Sequence, residues 1–276
     1  MMRHKMIRLS LLCLMGLLCM VNKGWAINVN SADALQEALG GSSYASVSGN
    51  TVTLLNNVEL SETINITGGE IVLDLAQKTI SLHLYNKKVE TIIVSGGNVI
   101  IKGNGIIKAH SQYRFGGVRA FDAISLAYNG GSVSIYNATF EANPFDLAIA
   151  YTLDPNNNYT VNDMIPYGAY ILNANASDYK STGYPGTGDA TATTKVYLSK
   201  YTPLYSVPND VSIIGGTTHC YTIEDTFTYP TVSQRKGYEF TGWTSSTVEV
   251  NKVPVTKNRK AEETINFTAN WKANEY

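Results

Sequence analysis

The sequence has 276 residues, 44% hydrophobic and 16% charged, with 21 Lys+Arg against 22 Asp+Glu and a net charge of −1. Apolar content suffices for a real core and excludes global disorder. The near-neutral balance, with no basic stripe, excludes the cationic field that a nucleic-acid partner requires.

Residues 1–26 carry Arg3, Lys5 and Arg8, an apolar run from Leu9 to Val21, then Asn22-Lys23-Gly24-Trp25-Ala26. A basic start, an apolar run too short to span a bilayer and small residues near its end predict a secretory signal cleaved near Ala26. Cys19 would suit a lipid-anchored N-terminus, but bulky Leu18 precedes it where such processing wants a small residue. Removing this segment takes four basic and no acidic residues, leaving a net charge of −5 and one cysteine, Cys220. A lone thiol forms no intramolecular bridge, so the exported chain is expected to rely on burial and backbone pairing. No later stretch is long and apolar enough for a transmembrane span.

Asn30 to Gly40 predicts a short capped helix with a glycine stop. Four alternating apolar stretches then follow turns, with Val52, Ile71, Val99 and Val133 in matching positions, and a weaker fifth copy starts at Asp210. Three of them are preceded by another strand, Thr63–Ile66, Thr91–Val94 and Ala123–Leu126, leading into Gly68-Gly69, Gly96-Gly97 and Gly130-Gly131. Periods of 19, 28 and 34 residues suit successive coils of a parallel β-solenoid whose alternate residues point inward. All eight prolines lie at Pro144 or later, leaving the first half free to form continuous ladders. The alternative is an antiparallel sandwich in which the glycine pairs are hairpin turns. The helix would cover the open end of the coil stack.

Val29 to Leu39, Asn50-Thr-Val-Thr-Leu54 and Ile71 to Ile80 together resemble the entry to right-handed β-helix proteins of the pectin-lyase-like fold. The likeness covers about residues 28–142 and resumes at 205–216. It implies a right-handed parallel β-helix, a fold that hosts polysaccharide lyases and hydrolases.

Hydrolysis needs two carboxylates on one face, and elimination needs calcium-binding Asp with a base. The carboxylates of the coils, Glu59, Glu62, Glu70, Asp74, Glu90, Asp122, Glu141 and Asp146, form no paired motif. Asp74 reads as a corner hydrogen-bonder. His83 reads as the outward face of a strand, His110 as entering a loop, and His219 beside Cys220 would face the opposite side of a strand. None has a companion at metal-ligand spacing. Gly103-Asn-Gly105 reads as a coil corner, and sequons occur at Asn65, Asn137, Asn158, Asn175 and Asn266. No catalytic, cofactor-binding or metal residue is therefore assigned.

Residues 143–208 lose the repeat and read as irregular insertions. Seven of the 18 tyrosines fall between Tyr151 and Tyr197, and such loops either pack on the body or bind sugar or protein. From His219 onward, aromatic and polar residues alternate around glycine turns, predicting a small β module with Phe240, Trp243, Phe267 and Trp271 as its aromatic core.

Within that module, the run from Pro230 to Trp243, with Gly-Tyr-x-Phe-x-Gly-Trp at 237–243, and Thr268-Ala-Asn-Trp271 resemble the Listeria-Bacteroides repeat, the internalin B-type repeat. The Gly-rich turn that usually ends the family's early strand is shortened here. The resemblance implies a β-grasp-like fold without catalytic residues, found in secreted and surface proteins of bacteria.

The expected organisation is a signal peptide at 1–26, an all-β right-handed parallel β-helix with a cap helix at 27–216, and the repeat module at 217–276. The expected role is non-catalytic adhesion or glycan or protein interaction, in secreted form or at the cell surface. The alternative is a polysaccharide lyase or glycoside hydrolase using Asp74, Asp122 or Asp146 with Arg114 or Arg119.

Overall fold

Backbone pairing of alternating Val, Ile and Thr segments dominates the computed structural model, which describes residues 26–85, 89–112, 123–143, 147–151, 159–172, 176–178 and 192–275. Residues 1–25 of the expected leader lie outside this range. The chain enters at β1 (Ala26–Val29), passes helix α1 (Ala32–Ala38), and then runs through β2 (Ala45–Ser48), β3 (Thr51–Leu54) and β4 (Val58–Leu60). Three long strands alternate with three shorter ones: β5 (Thr63–Asp74), β6 (Thr79–Tyr85), β7 (Val89–Lys102), β8 (Gly105–Gln112), β9 (Ala123–Ile135) and β10 (Ala138–Asn143). After these come β11 (Ile149–Tyr151), a 3-10 turn at Val161–Met164, β12 (Ala169–Leu172), β13 (Ala176–Asp178) and β14 (Ala192–Leu198).

The first sheet runs β13-β11-β9-β7-β5-β3-β2, with β1 also on β5, and the second runs β12-β14-β10-β8-β6-β4. The pairs linking β3, β5, β7, β9, β11 and β13, and those linking β4, β6, β8 and β10, are parallel. Antiparallel pairs close the sheets, β2 on β3 in the first and β14 against both β10 and β12 in the second. Thus the chain is mostly β with long parallel segments. Strands β11 to β14 also give regular structure to a region that the sequence presents as irregular.

The glycine pairs are not hairpins. Each lies inside one long strand, where the register with the next strand shifts between Thr67 and Glu70 and between Ser95 and Asn98. Residues on both sides of the bend pair in parallel with the neighbouring strand, which overturns the sandwich alternative. Gly69, Gly97 and Gly131 all have positive φ. A Cβ on Gly97 would lie 2.6 Å from the Gly68 carbonyl carbon, so the backbones stack too closely for any side chain.

In-register pairing builds buried rows. Ile71, Val99 and Val133 stand in one, and Leu73, Ile101 and Ile135 in the next. Val52 joins the second row, opposite Leu73 rather than Ile71, a two-residue offset that keeps it on the same face. Opposite them in the second sheet, Val58, Ile80, Ile107 and Phe140 align. All belong to one buried cluster shared by the two sheets, and each such side chain contributes about 1.5–3 kcal/mol. Buried Thr91 donates to the Lys108 carbonyl at 2.9 Å, and Ser125 donates to the Glu141 carbonyl, so hydroxyls inside the core are satisfied across it. Helix α1 is capped by Ser31, whose Oγ accepts from the Ala34 N–H at 3.2 Å, and it buries Leu35 and the C-cap Leu39 in the same cluster.

A second core lies in the C-terminal part, formed by β15 (Lys200–Ser206), β16 (Ile213–Ile214), β17 (Thr231–Val232), β18 (Tyr238–Thr244), β19 (Val248–Val250), β20 (Val253–Val255) and β21 (Glu262–Ala273). β15 runs parallel to β21 and β18 antiparallel to it. Residues 200–206 therefore share a sheet with 262–273, across the boundary that the sequence suggests at 216/217. The weak fifth copy does not join the parallel stacks: Ile213 and Ile214 pair antiparallel with Val232 and Thr231. Of the four expected core aromatics only Phe267 is buried and Trp243 packs against it, while the largest buried rings are Tyr201 and Tyr221. Phe240 and Trp271 are half-buried beside them, with Tyr205 stacked on Phe267 at 5.2 Å and near Trp243 at 5.0 Å, and Phe240 near Trp243 at 5.5 Å and Trp271 at 5.4 Å. Among the described residues no helix is long and apolar enough to cross a membrane.

Two outcomes follow. Gly97→Ala should cost more than about 3 kcal/mol in denaturant unfolding, whereas Gly49→Ala, also at positive φ but in open space, should cost about 1–2 kcal/mol. Burial pushes the Tyr205 phenol up to about 12 while its hydroxyl donates to the Thr217 carbonyl at 2.8 Å. Because the folded value lies above the ordinary tyrosine value of about 10, this contribution is intact below pH 10 and is lost as pH rises toward 12. Phenolate absorbance should show a late component near pH 12 or together with unfolding, and Tyr205→Phe should reduce it by one tyrosine's worth, with Tyr221, also pushed up by burial, among those that remain.

Candidate functional site

Asp74 ends β5 and caps the corner that follows it. Its Oδ1 accepts from the Ala76 N–H at 2.9 Å, and Lys78 N–H closes the turn onto the Leu75 carbonyl at 2.7 Å. Ala76 and Gln77 both take left-handed backbone, φ 44° and 64°, a conformation that costs a β-carbon-bearing residue about 1–2 kcal/mol. The next corner sits directly beside it, because Asp74 and Lys102 are register partners. There Gln77 N–H donates to the Gly103 carbonyl at 2.7 Å, and Asn104, φ 51°, donates its N–H to the Asn137 carbonyl at 2.7 Å. Successive corners thus bring Gln77, Asn104 and Asn137 together, with Lys102 Nζ 3.6 Å from Asp74 Oδ2.

The C-terminal part supplies the facing wall. Ile223, Glu224 and Asn251 close a cleft of about 910 Å³ over the corners and over the outward residues Thr51, Val72 and Ile100 of the first sheet. Asn251 occupies the two-residue turn between β19 and β20 at φ 53°. The loop bearing Glu224 is held by Asp225 Oδ2, which accepts from the Thr222 N–H at 2.7 Å and its hydroxyl at 3.0 Å. Five described non-glycine residues have positive φ, and Ala76, Gln77, Asn104 and Asn251 of these line this one cleft. Strained backbone gathers where function needs fixed geometry.

Docking of the two cores shapes the cleft. Tyr136 packs against both, lines the cleft, and has its phenol pushed above the ordinary value by burial. Arg259 Nε donates to the Ile165 carbonyl at 2.6 Å with its guanidinium 5.4 Å from the Tyr167 ring centre. At Gly168, φ 91°, an added Cβ would run into Ile223 Cγ2.

Of the residues weighed for catalysis, Asp74 lines the cleft, while Asp122, Asp146, Arg114 and Arg119 lie outside the described residues. Glu141 pairs with Lys108 at 3.5 Å on the second sheet, away from Asp74. Glu59 and Glu62 line a separate hollow of about 700 Å³ beside helix α1, together with Glu37. His110 lies in β8 rather than in a loop, opposite His83 of β6. Cys220 is exposed. Among the described residues no group of three His, Cys, Asp or Glu could hold a metal ion. Of the described tyrosines in the middle region, Tyr159 packs on the body, stacking on Tyr128 at 4.3 Å with its hydroxyl bonded to the Val133 backbone, Tyr170 stacks on Tyr197 at 5.5 Å, and Tyr167 is exposed. Tyr179 and Tyr184 lie outside the described residues, as do the sequons at Asn158 and Asn175.

Sequence reasoning missed Gln77, Lys102, Tyr136, Glu224 and Asn251. The only signals were the Gly103-Asn-Gly105 corner and the placement of Asn137 after an aligned copy. Amide donors and acceptors, an ion pair and a tyrosine around an open cleft suit a polyhydroxylated ligand. Compared with known proteins, the chain matches no protein family, no curated protein and no solved structure.

Gly168→Ala should loosen the contact with Ile223 and split denaturation into two transitions. Gly215→Ala, at positive φ with nothing within 4 Å, should leave the unfolding pattern unchanged apart from a small loss of stability.

Proposed function

We propose that the protein is exported from a bacterial cell and acts outside it, or at its surface, as a non-catalytic binding protein for a glycan. In this reading the first part is a right-handed parallel β-helix and the C-terminal part a Listeria-Bacteroides-type repeat. Chain passage between two parallel sheets over one core, with glycine bends in register, supports the first assignment. Placement of the Gly-Tyr-x-Phe-x-Gly-Trp run on β18, with a bulge at Gly242, supports the second. The basic-apolar leader supports export.

The observation that carries the binding reading is the cleft: four left-handed, side-chain-bearing residues hold Gln77, Asn104 and Asn251 over one open groove. Such rigid amides offer bidentate hydrogen bonds to vicinal hydroxyls without an ordering cost at binding. Asp74 is committed to the Ala76 N–H and to Lys102. Glu224 in the same cleft favours a second reading, a glycoside hydrolase with Asp74 and Glu224 as its two carboxylates.

A glycan array probed with the full chain should give a defined set of signals. Asn104→Gly and Asn251→Gly keep the left-handed backbone while deleting the amides, and together should weaken binding about tenfold or more. A blank array, or signals indifferent to both changes, would sink the binding reading. Depolymerisation of a polysaccharide panel that disappears in Asp74→Asn would replace it with the hydrolase.

A further inference from the structure

We propose that His83 and His110 form a binding site for a divalent first-row transition-metal ion that favours imidazole, namely copper, nickel or zinc, on the outer face of the second sheet. This site is separate from the cleft, which lies on the first sheet.

The two histidines are 27 positions apart in sequence, yet β6 and β8 pair in parallel with His83 directly opposite His110. Their side chains share a face, with ring centres 4.2 Å apart and planes inclined at 70°. Two imidazoles bound to one ion at about 2.0–2.1 Å place their ring centres about 4.5–5 Å apart. Small rotations about the side-chain torsions cover that difference.

The electrostatic surroundings suit neutral imidazole ligands. Burial, then the neighbouring His83, then Lys108 hold the His110 pKa below the ordinary histidine value, which favours the neutral ring, whose one lone-pair nitrogen can bind a metal. Lys108, two residues away on the same face, spends its charge on Glu141 at 3.5 Å. Among the described residues, Ser81 on β6, Asn143 opposite His110 on β10, and Glu59 opposite Ser81 on β4 lie near the pair. Asn143, the register partner of His110 on β10, carries an amide oxygen that could serve as a weak third ligand. Packing alone does not call for this pair, since two amides or aliphatic chains would cover the same strands without the repulsion that each protonated ring imposes on the other. A two-imidazole site with few further ligands binds moderately.

The test titrates the untagged full chain with copper, nickel or zinc chloride by calorimetry at about pH 7.5, where histidine is mostly neutral. One ion per chain is expected at micromolar affinity, and His83→Asn or His110→Asn alone should weaken it at least about tenfold. His219→Asn should leave it unchanged. Affinity should fall steeply as the pH is lowered to about 5.5, because protons compete with metal for imidazole nitrogen. Copper should also broaden the ring-proton resonances of His83 and His110 together in the unaltered chain, a readout that does not depend on a variant folding. Absence of binding below millimolar metal, binding that survives either single change, or broadening of His219 instead of the pair would overturn the proposal.

Discussion

Parallel, in-register backbone pairing between successive passes of the chain is the constraint on which the rest of the structure depends. Once Ile71 is set beside Val99 and Val99 beside Val133, every other residue of those strands is placed as well, inward or outward by the period of two. Inward rows fill one shared core. Outward rows become columns of like or complementary groups: Asp74 beside Lys102, His83 beside His110, Asn65 donating to Asn28 at 2.8 Å, and Ser95 donating to Asn65 at 2.7 Å. Surface chemistry here is a by-product of register.

Register also explains where backbone strain sits. A chain that crosses repeatedly between two sheets must turn at every crossing, and neighbouring turns stack as the strands do. The bend inside a long strand belongs to glycine, as at Gly97 of β7, where stacked carbonyls come too close for a side chain; the crossing turn is different. Where Ala76, Gln77 and Asn104 occupy it, left-handed backbone is held by Asp74 and by bonds to the next corner. That second kind of corner carries side chains outward from a rigid base, and it is there that the C-terminal part closes the cleft with Glu224 and Asn251.

Much of this was legible in the residues. The three glycine pairs, the spacing of Ile71, Val99 and Val133, and the absence of proline before Pro144 all pointed to repeated parallel strands, and helix α1 with its Ser31 cap stands where Asn30 to Gly40 placed it. Of the expected aromatic core only Phe267 is buried, with Trp243 packed against it; the large buried rings Tyr201 and Tyr221 were not legible as core, because each takes its place from a partner far along the chain. Strands β11 to β14 were not visible, since they lack the glycine bend and take their register from neighbours already in place. Of the cleft, Asp74 was weighed as a corner residue and as a catalytic carboxylate, and Gly103-Asn-Gly105 as a coil corner.

The sequence by itself determined the local pattern: which residues alternate, where the backbone bends, and which ring side chains need burial. Those are properties of a few adjacent residues and their torsional preferences. Tertiary structure alone decided that Lys200–Ser206 joins a sheet with Glu262–Ala273, that Gly168 meets Ile223, and that His83 and His110 are neighbours. Each joins residues 27 or more positions apart, where no local preference selects the partner and the outcome depends on burial and backbone pairing summed over the whole chain.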